Sequence, residues 1–336
     1  MSIRRFAVYA PVTIPTLCRY EHFKRCIDSL RKCTGAEYTD VYIGIDYPSK
    51  DSHWEGYNKI CEYVNKINGF NKLVIFKREK NFGAEENMGA LRKYVRDLYD
   101  RCIVSEDDNE FAPNFLEYMN ECLTRFKDNQ DVIRVCGSKM PWAKEEVMRE
   151  TMKGYGKNAF PAKDFNASGV AIWFDKYYNI PYTKKTVLDS WRLTYKAFKK
   201  GHCTAISRML FQLKKESQLP DVCLQLYCAF HDKYCIFPSI SKVKNWGYDG
   251  SGLNSDNNLS LIEIQELDSM CSFDLDEIEI KDYPEINTFV KKMHSDGAVI
   301  RLVVMLKYLY YKITKSNLGD LGVYKWLKNV VCKGDK

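Results

Sequence analysis

The sequence predicts an α/β fold, a mostly parallel sheet flanked by helices with a C-terminal helical appendage. Three observations predict it. Over the first part of the chain short apolar runs recur at regular spacing, amphipathic segments of helical period separate them, and several of the runs end in an acid. Strand and helix alternating in this way form the βαβ unit, whose sheet is covered on both faces.

The elements follow in order. Phe6–Ala10 reads as the first strand and Pro11–Arg19 as the loop after it. Phe23, Cys26, Ile27 and Leu30 then fall at i, i+3, i+4 and i+7, one buried helix face. Val41–Ile45 is the second strand and closes at Asp46. A helix around Tyr57–Ile67 leads to a strand at Leu73–Phe76. Glu85–Tyr99 is amphipathic, with Met88, Leu91, Val95 and Leu98 on one side. Cys102–Ser105 is a strand that delivers Glu106-Asp107-Asp108-Asn109 to its end. Phe115, Leu116, Met119, Cys122, Leu123 and Phe126 mark the next helix, and Val132–Cys136 the next strand. From Pro141 to Leu219 the periodicity weakens, and the strand pattern resumes at Tyr234–Phe237. Beyond Asn258 the chain is acidic and irregular until Ala298–Ile313, an apolar segment that carries Arg301, Lys307 and Lys312. In such sheets ligands bind beyond the carboxyl ends of the strands. The first loop, Asp46 and Asp107-Asp108 all fall at that edge.

Composition narrows the function. A net charge of +7, spread along the chain, suits nucleotide phosphates or an anionic membrane surface. With no zinc-finger spacing and no RNA-binding aromatic signature, it points to no nucleic-acid partner. The 13 cysteines are odd in number and contain no Cys-x-x-Cys pair, the pattern of reduced thiols in a cytoplasmic protein. The five histidines show no metal-ligand spacing. No signal peptide opens the chain and no run of about 18 apolar residues crosses a bilayer. A soluble or peripheral protein is expected. Ala298–Ile313 reads as a helix covering the core or, alternatively, as an amphipathic helix resting on the inner face of a membrane with its basic residues at headgroups.

Three consecutive acids at a strand end raise one another's pKa. A divalent cation offsets that repulsion, and hard carboxylate oxygens suit Mg2+ or Mn2+ bridging a diphosphate. The alternative is a solvated turn capping the next helix, since acids favour helix N-termini.

The run Ser105–Asn120, SEDDNEFAPNFLEYMN, resembles the DxD-type metal motif of GT-A glycosyltransferases, in the form found in the N-acetylglucosaminyltransferase I group and bacterial family-2-like relatives. The resemblance implies a metal ligand at Asp108, with Glu106 and Asp107 toward the donor. Pro15–Leu30 is similar to the family's first loop and helix, which implies nucleotide contacts near Thr13 and at Arg19. Leu17-Cys18 stand where Tyr-Asn is common. Tyr42–Ser49 matches the strand whose last acid, Asp46, grips the base. Lys80–Leu91 matches an Asn-x-Gly-x-x-x-Asn element, placing Asn81, Gly83 and Asn87 near the donor. Asn166–Trp173 resembles the small-residue loop that faces donor sugar and acceptor. Phe237–Asn254 is similar to the Asp-Gly-Ser-Gly signature of bacterial members, where Gly250 and Gly252 let backbone approach the ligand. Asn254 replaces a common histidine, so no histidine role carries over.

The family reading implies transfer of a sugar from a nucleotide-sugar donor, in the first instance UDP-linked, to a hydroxyl of a glycan or lipid-linked saccharide in polysaccharide biosynthesis. It also implies inversion, with Mn2+ or Mg2+ as cofactor. Residues 1–258 would form the transferase domain, 1–140 its nucleotide-binding half and 141–258 its acceptor half, with 259–336 a helical extension. The general base is expected at Asp221, with Asp189 as the alternative. The rival readings are a nucleotidyltransferase and a catalytically inactive carbohydrate- or nucleotide-binding protein. A dinucleotide-dependent oxidoreductase is disfavoured because Gly-x-Gly-x-x-Gly is missing after the first strand.

Overall fold

The computed structural model describes residues 5–139, 150, 152–177, 180–213, 219–252, 258–294 and 298–316. The chain divides into two compact units. The first comprises Met1–Ala162, Asn166–Asn179 and Tyr234–Asp282, and the second Lys163–Phe165, Ile180–Lys233 and Tyr283–Lys336. Residue 258 therefore lies inside the first unit, and residues 180–233 belong with the C-terminal helices.

The first unit is built on an eight-stranded sheet. Its strands are β1 (Val12–Thr16), β2 (Asp40–Ile45), β3 (Lys72–Lys77), β4 (Arg101–Val104), β6 (Val132–Cys136), β7 (Ala159–Ala162), β8 (Val170–Trp173) and β9 (Tyr234–Pro238), in the order β3-β2-β1-β4-β8-β6-β9-β7. Neighbours among β3, β2, β1 and β4 are parallel, as are β6 and β9, while β8 and β7 run antiparallel to theirs. The α/β class and the mostly parallel sheet agree with the sequence. Helices α1 (Tyr20–Leu30), α2 (Trp54–Tyr63), α3 (Ala84–Arg96) and α4 (Phe115–Arg125) connect the strands. The apolar faces expected of α1 and α4 are buried in one core with Val12, Ile14, Val41 and Ile43.

The first strand is where the sequence reading fails. Phe6–Ala10 is not a strand, and β1 occupies Val12–Thr16, inside the stretch expected to be a loop. Val12, Thr13 and Ile14 are β-branched and buried, which favours extended backbone between two strands. Pro15 within β1 donates nothing to a ladder. Yet β4 accompanies β1 only at Val12 and Thr13, where the Thr13 carbonyl accepts from Ser105 N. Pro15 has the parity of Thr13, so its missing N–H faces the side that β4 has already left.

Two further strands, β5 (Asn109–Phe111) and β10 (Val243–Asn245), form a separate antiparallel ribbon pairing Val243 with Phe111 and Asn245 with Asn109. The ribbon ties the segment after the acids to the Asp-Gly-Ser-Gly segment.

The second unit is helical: α5 (Lys184–Asp189), α6 (Trp191–Lys200), α7 (Cys203–Phe211), α8 (Pro220–His231), α9 (Pro284–His294) and α10 (Ala298–Thr314). Its core gathers Leu188, Ile206, Met209, Leu226 and, from α10, Val304, Tyr308 and Tyr311. α10 thus covers this core with one stripe, as the first reading of Ala298–Ile313 expects. Val299, Leu302, Leu306 and Ile313 on the same helix are exposed. Among the described residues no helix is long and apolar enough to cross a membrane. All twelve described cysteines are free thiols.

Candidate functional site

The chain runs β1, β2, β3 outward to one side and then returns to place β4 on the other side of β1. The order reverses between β1 and β4, and in open α/β sheets the crevice beyond the carboxyl ends at such a switch point is where ligands bind. Two loops leave the sheet there, Thr16–Arg19 after β1 and Ser105–Asp108 after β4.

These loops meet through charge. Asp107 and Asp108 are buried, whereas Glu106 is exposed. The guanidinium of Arg19 lies against both aspartates: Nη2 donates to Asp107 Oδ1, and Nη1 stands 3.0 Å from Asp108 Oδ2. Thr16 Oγ1 donates to Asp107 Oδ2 at 2.8 Å. Burial opposes the charge on Arg19, but Asp107 and Asp108 outweigh it and hold the guanidinium more firmly protonated than usual. Burial also pushes the Asp108 carboxyl up, Arg19 pulls it down, and neighbouring Asp107 raises it again, with a net upward shift.

The ribbon β5–β10 brings the glycine-rich segment to the same place. Trp246 N donates to the Asp108 carbonyl at 2.9 Å, and Asn245 Nδ2 reaches Asp108 Oδ1 at 3.5 Å. A Cβ built on Gly247 would collide with Oδ2 of Asp108. Gly250 adopts φ +82°, a left-handed conformation that few other residues tolerate, and Gly252 follows it half-buried. Just before Gly250, Asp249 places Oδ2 3.1 Å from His22 Nε2 on α1. Thr16, His22, Asn245, Gly247 and Asp249 were not singled out from the sequence. Asn245, Gly247 and Asp249 lie inside the Phe237–Asn254 motif, but contacts from α1 and from the strand opposite are what give them a place.

Several residues expected near the donor are engaged within the protein. Thr13 is fully buried inside β1 and its hydroxyl donates to the Ile103 carbonyl, which leaves its side chain to the sheet and only the backbone nearby for the expected contact. Asp46 stands at the end of β2 as expected, but its carboxylate is already engaged on both oxygens. Oδ1 accepts from Tyr47 N and Phe82 N at 2.9 and 2.8 Å, and Oδ2 from Gly83 N and Asn81 Nδ2 at 2.8 and 3.3 Å. A carboxylate offers about four acceptor positions, and here all four bind protein, so Asp46 builds the loop that starts α3. Asn87 is buried, donating to the Gly44 carbonyl at 2.8 Å and accepting from Arg78 Nε at 3.0 Å. Asn81, Gly83 and Asn87 therefore lock α3 onto β2, with Asn81 itself exposed.

The two base candidates lie in the second unit. Asp221 opens α8 after Pro220 and stands 3.0 Å from Arg208 Nη2. Asp189 ends α5, where its carboxylate accepts from Lys315 Nζ at 2.9 Å and from Tyr311 at 3.1 Å. The Lys315 hydrogen bond, chiefly, holds its pKa below the usual value.

A divalent cation fits the acid pair by the chemistry of its donors: two adjacent buried carboxylates supply hard oxygens. Among the described residues no third His, Cys, Asp or Glu completes a cage. Mg2+-type sites often use one or two carboxylates, with substrate phosphates and water filling the remaining positions.

No protein-family model and no curated protein matches the chain. Among solved structures it is similar to the mannosyltransferase PcManGT from Pyrobaculum calidifontis in complex with GDP-Man and Mn2+, at 12% identity and TM-score 0.38, over 67% of this chain and 69% of that one. It is similar to S. aureus TarS at 16% identity and TM-score 0.28, over 36% of this chain and 20% of that one. Mouse xyloside xylosyltransferase 1 follows at 9% and 0.31, over 51% and 69%. All three lie below a TM-score of 0.5, so function is argued from the residues of this chain.

Proposed function

We propose that the protein is a metal-dependent glycosyltransferase that moves a sugar from a nucleotide-sugar donor to a hydroxyl of a glycan or lipid-linked saccharide, with inversion, on the cytoplasmic side of the cell. One observation carries the reading. Two buried aspartates at the end of β4 face Arg19 at the switch point of a mostly parallel sheet, and a glycine-rich loop closes onto one of them. Buried carboxylates are costly unless something offsets them, and the groups gathered here suit a diphosphate and its cation.

In this reading Asp108 would hold Mn2+ or Mg2+, which when bound would neutralise charge on the donor diphosphate, with Asp107 beside it facing the donor. Arg19 adds a second positive group for the leaving diphosphate. The Gly247–Gly252 loop brings backbone against the donor. The anomeric carbon exchanges its bond to the diphosphate oxygen for one to the acceptor oxygen, and the acceptor proton passes to a carboxylate. Asp221 is the choice for that base. Asp189 is the weaker one, because a lysine and a tyrosine already engage it and its lowered pKa makes it a poorer proton acceptor.

A thermal-shift screen of UDP-, GDP- and dTDP-sugars with and without Mn2+ tests the assignment, since ligand binding raises the unfolding temperature. The expected result is a shift for one nucleotide that needs Mn2+ and disappears in Asp108→Asn. A shift that ignores both metal and Asp108 would remove the assignment.

A further inference from the structure

We infer that Arg19 is a resident counter-ion for the acid pair, one that must leave Asp108 before a divalent cation binds there, so that metal and nucleotide load together and not one by one. The inference rests on the glycosyltransferase reading of this site.

The argument begins with charge. Asp107 and Asp108 bring two negative charges into a buried place, and one guanidinium lies against both. With Arg19 in place the trio carries one net negative charge. A cation held by Asp108 at a coordination distance of about 2.1 Å would share that carboxylate with Nη1, which stands 3.0 Å from Oδ2. Two positive groups on one oxygen repel, and burial reduces the screening between them. A nucleoside diphosphate changes the balance, because its negative oxygens satisfy both the cation and the displaced guanidinium.

The grip of Arg19 is uneven in the direction this requires. Nη2 donates a hydrogen bond to Asp107. Nη1, close as it is to Asp108, is buried and lacks a hydrogen-bond partner of good geometry. An ion pair without a well-aligned hydrogen bond is held less tightly than one that has it, so the hold on Asp108 is the weaker one and the one to be given up. Thr16 supports Asp107 independently, so that acid keeps a partner when the guanidinium turns. Arg19 precedes the first residue of α1 with non-helical φ −84° and ψ 71° and makes no side-chain cap. Its long side chain is therefore free of any duty to the helix.

The test measures Mn2+ binding alone, by the loss of the free-ion electron paramagnetic resonance signal, with no turnover involved. Wild-type protein should bind Mn2+ at least tenfold more tightly with saturating UDP or GDP than without either. Arg19→Gln should bind Mn2+ alone at least tenfold more tightly than wild type, and the nucleotide should then add less. Arg19→Lys, which keeps the charge, should bind Mn2+ alone as weakly as wild type. Adding Asp108→Asn to Arg19→Gln should abolish the gain. If wild type binds Mn2+ with nucleotide through Asp108 but Arg19→Gln gains nothing, the counter-ion role is wrong and the functional reading survives. Equal wild-type affinity with and without nucleotide overturns the inference even where Arg19→Gln does not fold. No Asp108-dependent binding under any condition removes the functional reading with it.

Discussion

Gly247 leaves no room for a side chain beside Asp108: any Cβ there would strike the Oδ2 atom of that aspartate. The glycine is held in place from two sides, by the Trp246 amide on the Asp108 carbonyl and by its own N–H donating to Asn245 Oδ1 at 2.7 Å. Gly247→Ala should therefore shift the carboxylate while leaving the sheet intact. Metal-supported nucleotide binding is expected to fall at least tenfold, with circular dichroism unchanged. Unaltered affinity in a folded variant would show that the Asp108 carboxylate is not where the ligand binds.

Asp108→Asn keeps the shape of the side chain and removes its charge. On the proposed function, transfer should drop by about a hundredfold or more, in line with the several kcal/mol that a bound metal contributes, and Mn2+ should no longer improve nucleotide binding. The fold should tolerate the change, because a buried carboxylate whose pKa burial has pushed up is costly to keep ionised. A variant that both folds and turns over normally would exclude Asp108 from the chemistry.

Asp46→Ala separates structural from ligand-binding use of a strand-end acid. Removing the carboxylate leaves the N–H groups of Phe82 and Gly83 without their partner. Hydrogen bonds to a charged acceptor are worth about 1.5–3 kcal/mol each, so a loss of about 3 kcal/mol or more in unfolding free energy is expected. A ligand contact would behave differently, weakening nucleotide binding at unchanged stability. Denaturant unfolding alongside nucleotide titration distinguishes the two.

The same residue shows how far the sequence can be read. The pattern of apolar runs located β2, β3, β4, β6 and β9, because each is a short apolar segment between polar turns. Asp46 was recognisable as a strand-end acid, but three of the four donors that consume it come from residues 81–83, brought over by the pairing of β2 with β3. That proximity is topological and leaves no mark in local spacing. The first strand was expected at Phe6–Ala10, whereas β1 lies at Val12–Thr16. Pro15 is a breaker in isolation and harmless once β4 ends at Val104. At the site, Asp107 and Asp108 were legible as adjacent acids, whereas Thr16, His22 and Gly247 acquire meaning only when α1 and the β5–β10 ribbon fold onto them.

Asp221→Ala addresses the base. Asp221 lies in the first turn of α8, where a carboxylate also favours the helix N-terminus, and it pairs with Arg208. Its side chain is about one-third exposed, so the ion pair adds little stability and the variant should fold. The proposal expects transfer to fall at least a hundredfold with donor and Mn2+ affinity held within about twofold, since a general base contributes about 10²–10⁴ in rate. Parallel loss of donor affinity would reassign Asp221 to binding. Full turnover would pass the base to Asp189.

The second unit carries a buried histidine with a measurable signature. His202 is 3% exposed and its Nδ1 has no hydrogen-bond partner. Burial lowers its pKa to about 4, with Asp164 acting upward and His294 and Lys200 downward. Asp164 accepts from His294 Nε2 at 2.7 Å and Gln225 Nε2 at 2.6 Å. Burial raises its carboxyl, but His294 and these hydrogen bonds prevail and hold it below the ordinary range. The signs separate the two groups. Asp164 contributes stability above its unfolded pKa of about 3.9, and that contribution fades only in more acid solution. His202 is neutral in both states above about pH 6.5. As pH falls from about 6.5 toward 4, the unfolded chain takes a proton that the folded chain refuses, so stability declines by as much as about 3 kcal/mol. His202→Phe fills the same apolar site without a titrating group, and its unfolding free energy between pH 6.5 and 4 should slope less steeply than that of wild type. Parallel pH profiles for the two proteins would mean that the histidine takes up its proton without unfolding the cluster around Asp164.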